Sequence, residues 1–230
     1  MCIRDSLIYK EYLEHSPFEK LQVHLRQERL LPRTIDNYTL SRIFSAAYSD
    51  LRESQSNNHY FVSMRDVAVL ELLFATGVRV SELCSITCEN LNLQNQVVLI
   101  KGKGSKERCI YISSPPVISA LASYSALRTT IDSPDPYFFL NRDKHRLSEQ
   151  SVRRIICRYT PTDAAHYTPH MFRHSFATYL WEQCGNIYEV KEILGHSSVK
   201  TTERYVHASF EQQKRILTTM HPRNTLKIEF

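Results

Sequence analysis

The sequence predicts a mainly α-helical fold with one small antiparallel β-sheet. After residue 31, apolar residues recur at helical spacing, most strongly in 67–75. Two short segments rich in β-branched residues, 97–101 and 108–113, flank a glycine-containing turn, which is typical of a β-hairpin. Glycine is scarce, with 5 residues in 230, and the sequence contains no G-x-x-x-x-G-K-[ST] or G-x-G-x-x-G motif. A glycine-rich nucleotide-binding fold is therefore not expected.

The first thirty residues predict little structure of their own. Residues 7–15 have the spacing of a short helix, which Ser16-Pro17 ends because a residue before proline avoids the helical conformation. The charged stretch 19–33 is interpreted as a linker. So short a helix cannot form a domain alone, so either the domain begins near Leu31 or a segment that preceded Leu7 is missing.

The elements predicted after residue 31 follow from apolar periodicity and from stop signals. Ile35, Leu40, Ile43 and Phe44 suit an amphipathic helix, and the polar run 53–59 suits a loop. Gly77 is expected to end the helix that contains 67–75. The remaining predicted elements are a helix at 80–86, strands at 97–101 and 108–113, a third short strand at 137–140, and helices at 148–159, 171–184, 187–194 and from about 202.

The composition indicates the kind of partner and the compartment. Lys and Arg total 29 against 24 Asp and Glu, a net charge of +5, which suits a polyanionic partner without requiring one. Six cysteines are scattered, with no second pair at zinc-site spacing, so free thiols in a reducing compartment are expected. No apolar run approaches the roughly 20 residues of a membrane span, so no membrane partner is expected and the chain is predicted to be cytoplasmic.

Four segments carry the chemistry. They are A-T-G-V-R-V-S-E-L at 75–83, K-G-K-G-S-K-E-R at 101–108, T-P-H-M-F-R-H-S-F-A-T at 168–178 and L-G-H-S-S-V-K-T-T-E-R-Y at 194–205. Arg79 follows a glycine stop, His170 and Arg173 share one helix face, and Lys103 lies on a tight turn. Two arginines, two histidines, a lysine and a tyrosine are an unusual set for anything but a phosphate centre.

These side-chain types match the needs of phosphodiester cleavage. Guanidinium groups stay charged and bond two oxygens at once, so they stabilise the charge that grows on the non-bridging oxygens. A tyrosine hydroxyl has a reference pKa of about 10 and needs a base or positive surroundings to attack. A histidine can accept its proton, and a lysine can protonate the departing oxygen. The four segments hold no carboxylate cluster suited to magnesium, so neither a metal nor any other cofactor is expected.

With these four segments in this order and at this spacing, the chain resembles the tyrosine recombinase (lambda-integrase) family, and within it the Xer-type recombinases. The resemblance covers about residues 31–223 and includes the terminal His221-Pro222-Arg223. It implies the fold of a tyrosine recombinase catalytic domain and site-specific DNA recombination through a 3′-phosphotyrosyl intermediate. The catalytic residues that it implies are Arg79, Lys103, His170, Arg173, His196 and Tyr205.

The resemblance also implies a role for each of these residues. Arg79 and Arg173 would hold the scissile phosphate, and Lys103 would be the general acid for the 5′ oxygen. His170 would be a general base or a phosphate ligand, and Tyr205 would be the nucleophile.

Two further residues take implied roles around the phosphate. His196 would donate a hydrogen bond to it, and Glu82 would orient the arginine and the lysine.

The implied domain organisation has three parts. Residues 1–30 correspond to the end of an N-terminal core-binding domain and its linker, 31–223 to the catalytic domain with a last helix at about 202–218, and 224–230 to a tail. The implied partners are double-stranded DNA and further copies of the chain, in a tetrameric synapse, in a nucleoid-associated setting. The apolar face of 210–217 either packs on its own domain or docks into a neighbouring subunit, as the resemblance suggests.

Other basic side chains suit either phosphate contacts or plain solvent exposure. These DNA-binding candidates are Lys106, Arg108, Arg153, Arg154, Lys200 and Arg204. Two alternatives to recombination stay open at this point: a DNA-binding remnant without turnover, and DNA relaxation like that of a type IB topoisomerase.

Overall fold

The computed structural model describes residues 34–102, 107–184, 187–195 and 214–226. The chain divides into two compact units, 1–31 and 32–230, and every described residue belongs to the second. The predicted helix at 7–15, the linker and most of the tail lie outside the described residues.

Helices make up most of the described part of the chain. Polar side chains cap several of them: Asp36 accepts from the Thr39 amide at 2.8 Å, and Ser148 accepts from the Ser151 amide at 3.1 Å. The helices are α1 (Asn37–Arg52), α2 (Asn57–Thr76), α3 (Val80–Cys84), α4 (Pro115–Thr129), α5 (Glu149–Tyr159), α6 (Pro169–Cys184) and α7 (Ile187–Leu194), with short 3₁₀ helices at Cys88–Asn90 and Pro222–Thr225 and helical residues at 214–220.

Two helix predictions near the start of the unit need correction. The polar run 53–59 is a loop only as far as Ser56, whose hydroxyl accepts from the His59 amide and starts α2 at Asn57. Ile35 lies before α1 rather than in it, and is fully buried there. Its amide donates to the Ser175 hydroxyl at 2.7 Å. Apolar spacing misplaced both helix starts, because one capping side chain sets each start, Asp36 for α1 and Ser56 for α2.

The sheet is antiparallel, in the order β1 (Leu91–Asn92), β2 (Val97–Lys101) and β3 (Glu107–Tyr111). Strands β2 and β3 form the predicted hairpin. The predicted third strand at 137–140 is wrong: these residues form only isolated bridges, and Leu91–Asn92 is the third strand instead. Phe138 and Phe139 are both buried around the Tyr124 ring, so this segment lacks the alternation of a strand with one solvent-facing side.

Helix α2 is the central element of the core. Every residue from 62 to 76 along it is buried, and it packs against α1, α4 and α6. A helix that is apolar on all sides must be covered on all sides. The polar groups that it buries are paired, since Asp66 bonds Arg65 and Arg158, and Glu71 bonds Arg223.

The C-terminal segment 214–226, named here the C-terminal clasp, packs on its own domain. Ile216 and Leu217 are buried within the chain, so the suggestion that their helix face docks into a neighbouring subunit is wrong for these residues. Arg223 donates to both oxygens of the buried Glu71, at 2.9 and 2.8 Å. The His221 ring bonds the Ala75 carbonyl at 2.7 Å. Phe210 and Gln213 lie outside the described residues.

Among the helices of the described residues, none has the length and apolar character needed to cross a membrane.

Candidate active site

The first element of the site is the turn between α2 and α3. Gly77 ends α2 with φ at +57°, a left-handed conformation that favours glycine. A Cβ at Gly77 would overlap the ring of Phe176, so α6 approaches this turn too closely for any side chain. Two residues later Arg79 caps α3 with an extended backbone, and its side chain is 41% exposed. The predicted glycine stop and the arginine that follows it are both present.

Glu82 holds two arginines at once. One carboxylate oxygen accepts from Nη1 of Arg79 at 2.9 Å and from Nη1 of Arg108 at 3.1 Å. The other accepts from the Arg79 amide at 2.9 Å and from Nη2 of Arg108 at 2.7 Å. Burial alone would raise the pKa of Glu82, but the bonds from Arg108 and Arg79 outweigh it and hold the pKa at about 2. Glu82 is therefore a carboxylate at any pH near neutrality.

Arg173 lies at the centre of the site, 3% exposed. Its Nη1 donates to the Gly77 carbonyl at 2.5 Å, and its Nη2 donates to the Leu194 carbonyl at 2.7 Å. Burial and the like charge of Arg79 lower the pKa of Arg173 to about 10, so it stays a cation at neutral pH. Arg173 thus joins three of the four sequence segments through backbone atoms.

The contacts of α6 with the rest of the domain set the position of Arg173. The Ser175 hydroxyl accepts from the Ile35 amide, and the Tyr179 hydroxyl donates to the Ile35 carbonyl at 2.6 Å. Phe172 and Phe176 are fully buried on the face that meets the core. These contacts lock α6 against both the start of α1 and the end of α2.

Two histidines lie in the first turns of α6. His170 is exposed, and the His174 ring stacks on it with the centroids 5.3 Å apart. Burial and the positive surroundings of His170 and Arg173 lower the pKa of His174. His174 was not among the predicted site residues, although its position four residues after His170 in the H-x-x-R-H sequence was a usable signal.

The charge balance favours an anion. Arg79 and Arg108 bond the one carboxylate, that of Glu82, and Arg173 adds a third guanidinium that bonds backbone carbonyls instead. Among the described residues, no group of three or more His, Cys, Asp or Glu side chains is placed to hold a metal ion. The guanidinium groups outnumber the carboxylate, and each can donate two parallel N–H bonds. They therefore suit the two non-bridging oxygens of a phosphodiester.

Comparison with known proteins gives a consistent result. Residues 42–212, most of the chain, match the Phage integrase family. The chain belongs to this family. A tyrosine recombinase of Agathobacter rectalis is 40% identical over 219 residues, which cover 94% of this chain and 72% of the relative. Tyrosine recombinase XerC of Bacillus subtilis is 33% identical over 224 residues, which cover 94% and 70%.

Solved structures of recombinases have a similar fold. XerA recombinase matches with a TM-score of 0.62 at 26% identity, over 84% of this chain and 63% of that structure. XerH bound to its difH substrate, in a pre-cleavage complex, matches with a TM-score of 0.60 at 26% identity, over 82% and 50%. The chain therefore spans less than two thirds of the length of these structures. The predicted family and fold class are confirmed.

The structure of this phage integrase family member describes part of the predicted site. Arg173 bonds the Gly77 carbonyl two residues before Arg79, and His170 lies one turn before Arg173. Arg153 and Arg154 are exposed on α5, where Arg153 contacts Glu149 at 3.3 Å. The predicted residues that lie outside the described ranges are Lys103, Lys106, His196, Lys200, Arg204 and Tyr205.

Proposed function

We propose that this chain is a Xer-type tyrosine recombinase, which cuts and rejoins double-stranded DNA at specific sites through a covalent bond to Tyr205. The observation that carries the proposal is the buried Arg173, held by two backbone carbonyls beside Arg79. Relatives named tyrosine recombinases support it, as does XerH bound to its difH substrate. The proposed setting is the cytoplasm, in association with the nucleoid, with further copies of the chain assembling on DNA.

The proposed reaction is a transesterification. The Tyr205 oxygen attacks the scissile phosphorus, the bond from phosphorus to the 5′ oxygen breaks, and a 3′-phosphotyrosyl link and a 5′ hydroxyl result. Arg79 and Arg173 stabilise the charge on the non-bridging oxygens. Arg173 suits this role because its carbonyl contacts fix the guanidinium before DNA arrives, and preorganised donors need no rearrangement during the reaction. No nucleotide cofactor takes part, because the bond energy is kept in the phosphotyrosyl link.

Proton transfer falls to the remaining residues. We assign protonation of the departing 5′ oxygen to Lys103. We assign to His196 a hydrogen bond to the phosphate. To His170, which is exposed at the start of α6, we assign either acceptance of the tyrosine proton or a contact with the phosphate.

The test is covalent trapping. A pool of nicked DNA duplexes with randomised arms lets a cleaved fragment diffuse away and samples many candidate recognition sites at once. Wild-type protein should form an adduct that resists detergent and survives a chelator, and Tyr205→Phe should form none. Tyr60→Phe, which changes an exposed tyrosine on α2, is the matched control and should react like wild type.

Other outcomes identify the alternatives. DNA binding without any adduct from wild-type protein would indicate a binding remnant and defeat the proposal. Relaxation of a supercoiled plasmid without exchange between sites would indicate activity like that of a type IB topoisomerase.

A further inference from the structure

Arg108 is the second residue of β3, near the turn end of the β2–β3 hairpin, where it pairs with Ile100. It was predicted as a DNA-binding candidate, but its side chain is only 16% exposed, whereas its neighbours Glu107 and Cys109 are exposed. A phosphate contact from the DNA backbone needs an accessible guanidinium. The placement of Arg108 therefore favours a role inside the protein.

The first contact of Arg108 is the bidentate pair with Glu82. Each oxygen of Glu82 accepts one bond from Arg108 and one from Arg79. One negative charge is thus shared between two guanidinium groups. Arg79 consequently keeps part of its positive charge uncompensated and has donors left for a phosphate.

The second contact of Arg108 is with the backbone at Gly195. This glycine has φ at +65°, and a Cβ built on it would lie 2.9 Å from Nη1 of Arg108 and 3.0 Å from its Cδ and Cζ. The guanidinium therefore lies directly against the Gly195 backbone. Gly195 follows Leu194, whose carbonyl accepts from Arg173. Arg108 thus links the hairpin, the Arg79 turn and the end of α7.

We propose that Arg108 is a positioning residue, which shares Glu82 with Arg79 so that Arg79 stays free to bind the scissile phosphate, and which fixes the start of β3 against Gly195. The inference rests on the proposed recombinase function and deepens it. Without Arg108, Arg79 is the one guanidinium among the described residues that still hydrogen-bonds Glu82, and the two form a closed ion pair. Arg79 then stabilises the phosphate less, while the surfaces that contact the rest of the DNA are unchanged.

The experiment compares Arg108→Gln and Arg108→Lys with wild type. The matched control is Arg128→Gln, which removes another buried arginine, one held on α4 by backbone carbonyls. Three quantities are measured: the single-turnover rate of adduct formation at saturating DNA, the dissociation constant with its salt dependence, and the Glu82 pKa by NMR titration of the carboxyl carbon.

Arg108→Gln should slow adduct formation by about 10- to 100-fold, up to the lower end of the loss on removing a direct oxyanion donor. Arg108→Lys should restore little of the rate, because an ammonium cannot reproduce the paired bonds of a guanidinium to the two Glu82 oxygens. DNA affinity should stay within about twofold, and its salt slope should not change. The pKa of Glu82 should rise in Arg108→Gln, and Arg128→Gln should change none of these quantities per folded molecule.

Several results would overturn the inference. Adduct formation by Arg108→Gln at the wild-type rate would do so, and so would an unchanged Glu82 pKa. A weaker affinity with a salt slope reduced by about 1 would instead assign Arg108 to a DNA phosphate. If Arg108→Gln does not fold, the Lys variant carries the test, and a wild-type rate from it overturns the inference. Absence of an adduct from wild-type protein would defeat the proposed function, while the Glu82 titration would still decide the placement of Arg108.

Discussion

At the residue scale, the two arginines of the site are supported in different ways. Arg79 is 41% exposed and bonds a carboxylate, whereas Arg173 is 3% exposed and bonds backbone carbonyls. Carbonyls hold a guanidinium in place without cancelling its charge by a full counter-ion. We therefore expect Arg173 to contribute more of the transition-state stabilisation.

Substitution of Arg173 tests this expectation. Arg173→Ala should slow cleavage on the order of 10²-fold or more. Arg173→Lys should recover little, because one ammonium cannot reach both the Gly77 and the Leu194 carbonyls. Single-turnover trapping measures the rates, and circular dichroism checks the fold. Arg42→Ala, which breaks a surface pair with Asp163, is the control and should leave the rate unchanged. If Arg173→Lys cleaved DNA as fast as wild type, bonding of both carbonyls by a guanidinium would not be needed, and this explanation would be contradicted.

Sequence patterns predicted which residue types form the site better than they predicted the bonds between them. Arg79, His170 and Arg173 could be named because a glycine stop and helical spacing are local signals. Glu82 was implied as an orienting residue by the resemblance, but its bond to Arg108 could not be predicted, because Arg108 reaches it from a strand 26 residues further along the chain. Contacts between distant elements depend on packing that local periodicity does not encode.

At the element scale, the end of α2 sets the direction of Arg79. The left-handed Gly77 turns the chain, and the Phe176 ring fills the space where a side chain would lie. Gly77 therefore both ends α2 and allows α6 to pack close to the turn.

Gly77→Ala should disturb both functions of this turn. A left-handed alanine costs roughly 1–2 kcal/mol, and the overlap with Phe176 adds to the loss of unfolding free energy. Cleavage should fall as well, because Arg79 and Arg173 both depend on this turn. Thermal denaturation and trapping measure the two effects. In a Phe176→Leu background the additional cost of Gly77→Ala should be smaller, and an equal cost would contradict the overlap.

Other elements show where local patterns succeed and fail. Helices α5 and α7 lie close to their predicted bounds, because each combines clear apolar spacing with an end signal. Helix α4 was not predicted, although Val117, Leu121 and Tyr124 have helical spacing after two prolines suited to a first turn. The short strand Leu91–Asn92 could not be predicted, since two residues carry no period.

At the scale of the whole molecule, the C-terminal clasp completes the core. Arg223 neutralises Glu71, which is fully buried in α2, and the Arg223 guanidinium lies 5.2 Å from the Phe44 ring centre. Loss of one partner of such a pair leaves a buried charge unpaired and is strongly destabilising. Removal of residues 214–230 should therefore destabilise the domain. The sequence left packing in cis and docking on a neighbour open, because an apolar helix face does not identify what covers it.

The clasp also predicts a pH dependence of stability. His221 is 1% exposed; its Nε2 donates to the Ala75 carbonyl, and its Nδ1 accepts from the Arg223 amide. Burial lowers the pKa of His221 from 6.5 to about 4, so the unfolded chain takes up this proton at a higher pH than the folded chain. The stabilisation is complete above the unfolded pKa and is lost as pH falls from about 6.5 to about 4.

The matched variant is His221→Gln, whose amide can both donate and accept. Between about pH 7 and about pH 5 wild type should lose on the order of 2 kcal/mol more unfolding free energy than the variant. Urea denaturation at each pH measures the difference. Equal pH dependence in the two proteins would show that His221 does not titrate in this window.

The two carbonyls that bond Arg173 both lie at helix ends, so helix dipoles also act on this guanidinium. The Gly77 carbonyl lies at the C-terminal end of α2 and the Leu194 carbonyl at that of α7. A helix C-terminus acts as roughly −0.5 of an elementary charge. Two of them aimed at one guanidinium hold it in place without a side-chain anion, and neither can be protonated or move to another cation. Acid should therefore weaken the support of Arg79, through Glu82, before it affects that of Arg173.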